Sequence, residues 1–227
     1  MKKPVRFDHV LCDLDGTILQ RWNTPDEEPA STEYLGRILE LGPVYAICTN
    51  QGGIAWQLVG GRPEKQYPDW PATLHRIRTG LMLTGARHAF VALSHPGAMD
   101  RMKQEHPDLI RRQADRIGLP IELLPPDILT HLNRPASRVV QIRMGEGLFL
   151  HASWEPFWRK PSPGMILYAC QTLGIPVTKS VAYVGDEPDD LVAAERAGVT
   201  GVLIGPQIGS GSPDRLIPQL GKGDDDL

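Results

Sequence analysis

Short, nearly continuous apolar runs alternate along this chain with segments of helical periodicity, and this alternation constrains the fold more strongly than any other feature. The run Val-Tyr-Ala-Ile-Cys at 44–48 is almost entirely apolar, as is typical of a parallel strand that is covered on both faces. The segment before it, 32–41, repeats leucine and isoleucine at helical spacing and is stopped by Gly42 and Pro43. Strands are expected at 9–12, 44–48, 89–93, 180–184 and 202–204, and helices at 32–41, 72–83, 164–173 and 189–197. This order predicts an α/β protein, a three-layer α/β/α Rossmann-like fold with a mostly parallel sheet.

Chemically reactive side chains follow the predicted strands, and ligands bind at that edge of an open parallel sheet. The first motif, Asp-Leu-Asp-Gly-Thr at 13–17, comes directly after the run 9–12. Asp13 and Asp15 would share one face of an extended backbone, where their charges repel. A divalent cation or a phosphoryl group would offset this crowding, and a carboxylate can accept a phosphoryl group directly. The alternative is an Asp-Gly turn with solvated acids.

The second and third motifs carry groups that suit phosphate. Thr49 and Asn50 begin the turn Thr-Asn-Gln-Gly-Gly, whose hydroxyl, amide and backbone N–H groups could hold phosphate oxygens. Lys160 lies just before a predicted helix in Arg-Lys-Pro-Ser-Pro-Gly at 159–164, where its charge could neutralise a phosphate. A simple strand-exit turn and a solvated lysine are the respective alternatives.

The fourth motif, Gly-Asp-Glu-Pro-Asp-Asp at 185–190, supplies further carboxylates. Hard oxygen ligands at a strand end suit Mg²⁺, which binds one or two protein carboxylates together with water and phosphate oxygens. An acidic helix start that is favoured by the helix dipole is the alternative.

In this order, the four motifs resemble the signature of the haloacid-dehalogenase-like superfamily. The resemblance implies that Asp13 is the nucleophile and a metal ligand. It implies that Asp15 is the general acid and then the general base, with its backbone carbonyl on the metal. By the same resemblance Mg²⁺ is the cofactor.

The resemblance also implies roles for the remaining motif residues. Thr49 and Asn50 hold the phosphoryl oxygens, and Lys160 stabilises the phosphate. Asp186 is a metal ligand, and Asp190 is a supporting acid that holds either a metal-bound water or Lys160.

Two strings are most similar to one branch of the superfamily, which contains the histidinol-phosphate, heptose-bisphosphate and polynucleotide 3′-phosphatases. They are Thr-Asn-Gln-Gly-Gly-Ile at 49–54 and Arg-Lys-Pro-Ser-Pro-Gly-Met at 159–165. Several members carry a Cys/His zinc loop after the third strand, where this chain has Ser-His-Pro at 94–96, so we expect no zinc. Arg159 is a candidate for binding a second anionic group of a substrate, or else a surface arginine.

The spacing of the motifs predicts the domain organisation. Residues 1–97 and 156–210 are expected to form the superfamily core. Residues 98–155 are expected to be an insert, serving as a lid, a small cap or an oligomer interface, unless they complete the core. The Gly- and Ser-rich tail 211–227 is expected to be partly disordered.

Composition narrows the function. The net charge is −3 and the pI is about 6.2, which disfavours a nucleic-acid partner. No apolar stretch reaches the roughly 18 residues of a membrane span, so we expect no membrane partner and a cytoplasmic protein. The predicted function is a magnesium-dependent phosphatase acting on a small phosphorylated metabolite. A polynucleotide 3′-phosphatase, another phosphotransferase of the superfamily and a catalytically inert binding module are the alternatives.

Overall fold

The computed structural model describes residues 6–22, 32–62 and 65–204, and these residues form one seven-stranded sheet with helices on both faces. The strands are β1 His9–Cys12, β2 Val44–Asn50, β3 His88–Ala92, β4 Val140–Gly145, β5 Leu148–Ser153, β6 Val181–Gly185 and β7 Thr200–Leu203. Their order in the sheet is β4-β5-β3-β2-β1-β6-β7. All neighbouring strands are parallel except the edge strand β4, which runs antiparallel to β5.

Eight α-helices connect or cover these strands within the described residues. They are α1 Thr32–Leu41, α2 Gly53–Leu58, α3 Trp70–Thr84, α4 Pro96–Met102, α5 Pro107–Arg116, α6 Pro126–His131, α7 Gly164–Leu173 and α8 Pro188–Ala197. Two short 3-10 turns lie at Ile121–Leu123 and Pro156–Trp158. None of the described helices is long and apolar enough to cross a membrane.

Two hydrophobic cores lie on the two faces of the sheet, because alternate residues of a strand point to opposite faces. In β1, Val10 and Cys12 belong to one core and Leu11 to the other. Helices α1 to α6 cover the first core, and α7 and α8 cover the second. This arrangement confirms the predicted three-layer α/β fold.

The predicted elements agree with the observed ones where the periodic segment is long. Helices 32–41 and 164–173 have the predicted bounds. Strand β2 continues two residues further than predicted, so Thr49 and Asn50 end the strand instead of beginning a turn. Helices α2, α4 and α6 were not predicted, because six or seven residues are too few to show a helical period. The proline that begins α4 and α6 marks a first helical turn, where proline is favoured.

The segment 98–155 is more closely integrated than the sequence led us to expect. Strand β5 pairs in parallel with β3, and β4 covers the free edge of β5. Residues 140–153 therefore complete the sheet, which is the alternative to an insert outside the core. The physical reason is that β3 would otherwise leave its backbone groups unpaired at an edge of the sheet.

The first half of this segment is helical and lies beside the motif loops. Helices α4 and α5 pack on α2, which begins in the loop after β2. For this helical part, a role as a lid, a small cap or an oligomer interface stays a prediction. The predicted tail 211–227 lies outside the described residues.

Candidate active site

Reactive side chains from four parts of the chain meet at one edge of the sheet. Asp13 follows β1, Thr49 lies at the end of β2 and Asp186 follows β6. Because β1 lies between β2 and β6 and all three are parallel, their carboxyl ends are neighbours. Lys160 reaches the same edge from the loop before α7, and Asp190 from the first turn of α8.

Lys160 joins two of these carboxylates. Its Nζ lies 2.7 Å from Asp13 Oδ1 and 2.6 Å from Asp190 Oδ1, and the lysine is only 5% exposed. Burial alone would lower the pKa of Lys160, but the charges of the two carboxylates raise it above its ordinary value. The lysine therefore stays protonated, and a buried cation with two bonded anions avoids the cost of an unpaired buried charge.

Asp13 has a strongly altered affinity for protons. The pKa of Asp13 is raised from 3.8 to about 7, chiefly because burial disfavours the charged form, and the negative charges of Asp190 and Asp15 contribute to the rise. Lys160 opposes it, both through its charge and through its hydrogen bond. Because desolvation disfavours the carboxylate, further positive charge at this position would stabilise the reactive form of Asp13.

Asp190 is fixed by the start of its own helix. Its Oδ2 accepts a hydrogen bond of 3.0 Å from the backbone N–H of Glu187, which completes a capping box. A Cβ on Gly185 would lie 2.2 Å from Asp190 Cγ, so glycine is required where β6 ends. Of the two roles implied for Asp190, the structure shows the contact with Lys160.

Asp186 faces a cation. Arg21 Nη2 lies 2.5 Å from Asp186 Oδ2, and Thr17 Oγ1 lies 3.4 Å from Oδ1. Burial raises the pKa of Asp186, and Arg21 opposes this rise. Gly16 has a φ of +88°, and a Cβ there would lie 2.2 Å from Asp186 Oδ2. Glycine therefore allows the first motif to turn against the fourth.

These carboxylates are close enough to share one ion. One oxygen from each of Asp13, Asp186 and Asp190 lies within 4.8 Å of the others, the one such group in the described part of the chain. A set of carboxylate oxygens suits a hard divalent cation such as Mg²⁺.

Asp15 is held by two residues that the sequence did not single out. Its Oδ2 accepts a hydrogen bond of 2.6 Å from Gln51 Nε2, and its Oδ1 lies 2.6 Å from Arg76 Nη2. Arg76 is buried in α3 and also donates to the backbone carbonyl of Gln20. The sequence signal that could have identified Arg76 is its position beside Ile77 on the buried side of α3, where a charged residue needs a partner.

The second motif positions the third. Asn50 Oδ1 accepts from the Lys160 backbone N–H at 3.1 Å, and Asn50 Nδ2 donates to the Lys160 carbonyl at 3.3 Å. The amide of Asn50 thus fixes the loop that carries Lys160, and its predicted contact with phosphate stays a prediction. Thr49 is buried, and its Oγ1 accepts a hydrogen bond of 3.0 Å from Gln51 Nε2. That hydroxyl still has a proton to donate.

Arg159 lies at the border of the site. Its Nη1 donates to the Ser94 carbonyl at 3.1 Å, and a Cβ on Gly52 would lie 2.8 Å from the same nitrogen. Its guanidinium therefore packs on the loop of the second motif, beside the phosphate-holding groups predicted there.

Comparison with known proteins agrees with this arrangement. A family model described as HAD-hydrolase-like matches residues 157–217, the region that holds Lys160, Asp186 and Asp190. No curated protein matches the chain.

Three solved structures are similar to it at low identity. A candidate HAD-like phosphatase from Mesorhizobium loti is 18% identical, with 92% of this chain and 78% of that chain covered and a TM-score of 0.40. The D,D-heptose 1,7-bisphosphate phosphatase from B. bronchiseptica, complexed with magnesium and phosphate, is 18% identical, with coverage of 86% and 79% and a TM-score of 0.39. A hydrolase from Pseudomonas syringae is 16% identical, with coverage of 87% and 84% and a TM-score of 0.31.

Three features bear on the family resemblance. The family model matches the third and fourth motifs, the four motifs occur in the expected order, and the parallel sheet gathers them at one edge. These features make residues 157–217 similar to HAD-hydrolase-like proteins and agree with the resemblance of the four motifs to the haloacid-dehalogenase-like superfamily.

Proposed function

We propose that this protein is a magnesium-dependent phosphatase that hydrolyses a small phosphorylated metabolite through a phosphoryl intermediate on Asp13. One observation carries the proposal: Asp13 is a buried carboxylate that lies 2.7 Å from a buried lysine and beside two further carboxylates. A nucleophilic carboxylate needs nearby positive charge to meet an anionic phosphate; the ammonium group of Lys160 supplies one such charge, and a bound divalent cation would add to it.

The residues present fit a magnesium ion. One oxygen of Asp186 already lies 2.5 Å from a cationic group, the guanidinium of Arg21. Asp186 also has an oxygen within 4.8 Å of an oxygen of Asp13, close enough for both to bind one ion. Asp13, Asp186 and the backbone carbonyl of Asp15 would hold the ion. When bound, magnesium offsets the repulsion between the attacking carboxylate and the phosphate.

The first half-reaction uses Asp13 and Asp15. An oxygen of Asp13 attacks phosphorus, the bond from phosphorus to the leaving oxygen breaks, and Asp15 gives that oxygen a proton. Both carboxylate oxygens of Asp15 are engaged by Gln51 and Arg76, so proton donation requires Asp15 to turn away from one of them. In the second half-reaction Asp15 takes a proton from water, which attacks phosphorus and releases phosphate from Asp13.

Lys160 and Thr49 act on the phosphoryl group. Lys160 keeps its proton because two carboxylates raise its pKa, so it can neutralise the charge on the transferring oxygens. The buried Thr49 hydroxyl donates its free proton to one of those oxygens.

Hydrolysis of 4-nitrophenyl phosphate by Asp13→Asn protein tests this proposal. The amide cannot form the acyl phosphate, so we expect turnover to fall by several orders of magnitude, as is found when a nucleophile is removed. Asp8→Asn is the matched control, because Asp8 is exposed at the opposite end of the same strand region. Folded Asp13→Asn protein with wild-type turnover would exclude the mechanism, and undiminished activity after chelation would exclude the metal.

A substrate panel separates the proposed function from its alternatives. It contains phosphorylated sugars, phosphorylated amino alcohols and an oligonucleotide with a 3′-phosphate. Preferential release of phosphate from the oligonucleotide would favour the polynucleotide 3′-phosphatase instead.

A further inference from the structure

Basic side chains collect around one tryptophan beside the second motif. The guanidinium of Arg62 lies 4.1 Å from the centre of the Trp56 ring, and that of Arg101 lies 5.9 Å from it. The imidazole of His95 lies 5.1 Å from the same ring. We call these residues, together with Arg159, the basic cluster.

The basic cluster borders the loop that is predicted to hold phosphate. A Cβ on Gly52 would lie 2.8 Å from Arg159 Nη1 and 3.0 Å from His95 Cβ. Gly52 is three residues after Thr49, and Arg159 directly precedes Lys160. An anion bound in the cluster would therefore be adjacent to the phosphoryl group, close enough to be part of the same substrate.

No carboxylate of the described residues forms an ion pair with the arginines of the cluster. Among the ion pairs of the described residues, none involves Arg62, Arg101 or Arg159. The carboxylate next to Arg101 in the chain, that of Asp100, instead pairs with Lys103 at 3.1 Å. Within the described residues, the three arginines of the cluster therefore lack a directly paired carboxylate.

The basic side chains of the cluster are close enough to His95 to change its pKa. Burial lowers the pKa of His95, and the positive charges of Arg159 and Arg62 lower it further. Lys65 acts in the same direction. Burial lowers the pKa of Arg159, and the charges of Asp189 and Glu187 at the start of α8 oppose this without an ion pair.

Three buried polar atoms in and beside the cluster have no hydrogen-bond partner among the described residues: Ser94 Oγ, His95 Nδ1 and Trp56 Nε1. Ser94 is 1% exposed and Trp56 is 5% exposed. Nearly all buried polar atoms in proteins have a partner. The indole N–H can only donate and the serine hydroxyl can donate, so both need an acceptor.

Packing alone does not explain this arrangement. Stacking of an arginine on a tryptophan is common and would explain Arg62 by itself. It would not give Trp56 Nε1 or Ser94 Oγ an acceptor, and it would not offset repulsion between like charges. An anionic group rich in acceptor oxygens would do both.

We propose that the basic cluster binds a second anionic group of the substrate, a carboxylate or a phosphate carried by the leaving group. The inference rests on the proposed function, because the first anionic group is the phosphoryl group beside Lys160. The preferred substrate is thus a phosphomonoester with at least one further negative charge, and a phosphorylated neutral alcohol is a poor one.

Matched pairs of substrates test this subsite. Glycerol 3-phosphate is compared with 3-phosphoglycerate for a carboxylate, and fructose 6-phosphate with fructose 1,6-bisphosphate for a phosphate. We expect wild-type kcat/KM to favour the second member of at least one pair by about tenfold or more. The pair that shows the preference identifies the anionic group.

Variants test the residues. Arg62→Gln and Arg101→Gln should each reduce this preference at least about fivefold, since each removes one cation. Arg111→Gln, on an exposed part of α5, is the matched control and should keep the wild-type ratio. Because each ratio is taken within one variant, differences in folded fraction cancel. A wild type without preference in either pair would refute the subsite, as would equal ratios in the Arg62 and Arg111 variants.

Binding measurements separate this inference from the proposed function. If wild-type protein hydrolyses neither these four compounds nor 4-nitrophenyl phosphate, the phosphatase proposal fails. Calorimetric titration of Asp13→Asn protein with fructose 1,6-bisphosphate and fructose 6-phosphate then decides the subsite. If Asp13→Asn protein binds the bisphosphate more tightly than the monophosphate, and the Asp13→Asn/Arg62→Gln double variant does not, the subsite is supported. Equal binding of both sugars by Asp13→Asn protein would overturn it.

Discussion

Replacing Lys160 with methionine should reveal how much of the stability depends on charge compensation in the site. Methionine has a similar length but no charge, so Asp13 and Asp190 would lose their bonds of 2.7 and 2.6 Å to the ammonium group. Both carboxyl groups are buried, with exposures of 6% and 2%. Breaking a buried ion pair in this way costs about 3–5 kcal/mol, because the remaining charge is left uncompensated. We expect the free energy of unfolding to fall by about that amount near pH 8.

The stability lost in the Lys160→Met variant should depend on pH, and the titration of Asp13 determines the direction of that dependence. The pKa of Asp13 in the folded protein is about 7 although Lys160 lowers it, so the methionine variant should have a still higher value. A carboxyl group whose folded pKa is raised stabilises the protein below its unfolded pKa of 3.8, and this stabilisation is lost as the pH rises through the folded value. Wild type stops losing stability through Asp13 near pH 7 and the variant does not, so the variant should be closer to wild type at pH 5 than at pH 8 by up to about 1.4 kcal/mol.

Urea denaturation at pH 5 and pH 8 in the presence of a chelator measures this difference. Lys103→Met is the matched control: Lys103 pairs with Asp100 at the surface, with both side chains more than 70% exposed, and should cost less than about 1 kcal/mol. A second substitution, Asp13→Asn, should restore part of the stability at pH 8, because it removes one uncompensated charge. A Lys160→Met loss that is the same at both pH values, or no larger than the control's, would refute the reasoning.

Two further predictions concern the carboxylates and their partners. Asp15→Asn should slow turnover strongly while magnesium binding, measured by calorimetry, is largely kept, whereas Asp186→Asn should lose the ion; the reverse pattern would exchange the two assignments. Arg76→Met should lower kcat by about tenfold or more with magnesium affinity unchanged, because the side chain that orients Asp15 is lost. Arg78→Met, an exposed residue on the same helix, is its control, and equal kcat values in the two variants would show that Arg76 has no positioning role.

The sequence predicted the fold because strands, helices and the motifs that follow them are local patterns. An apolar run followed by a polar motif can be recognised within ten residues, as at 9–17 and 181–190. In a parallel sheet the ends of neighbouring strands meet at one edge. The position of these motifs after neighbouring parallel strands therefore predicts that Asp13 and Asp186 lie close together, as the structure shows.

The tertiary structure decided the contacts that join distant segments without a local signal. Nothing in the spacing of the chain indicates that Arg76 would lie 2.6 Å from Asp15, 61 positions away. The same holds for β5, whose place beside β3 depends on an unpaired strand edge and not on its own composition. The basic cluster around Trp56 is a third case, because stacking of Arg62 and Arg101 on one ring requires α2 and α4 to pack together. Periodicity and motifs are properties of neighbours in sequence, whereas pairing and packing depend on which surfaces the completed fold leaves to be covered.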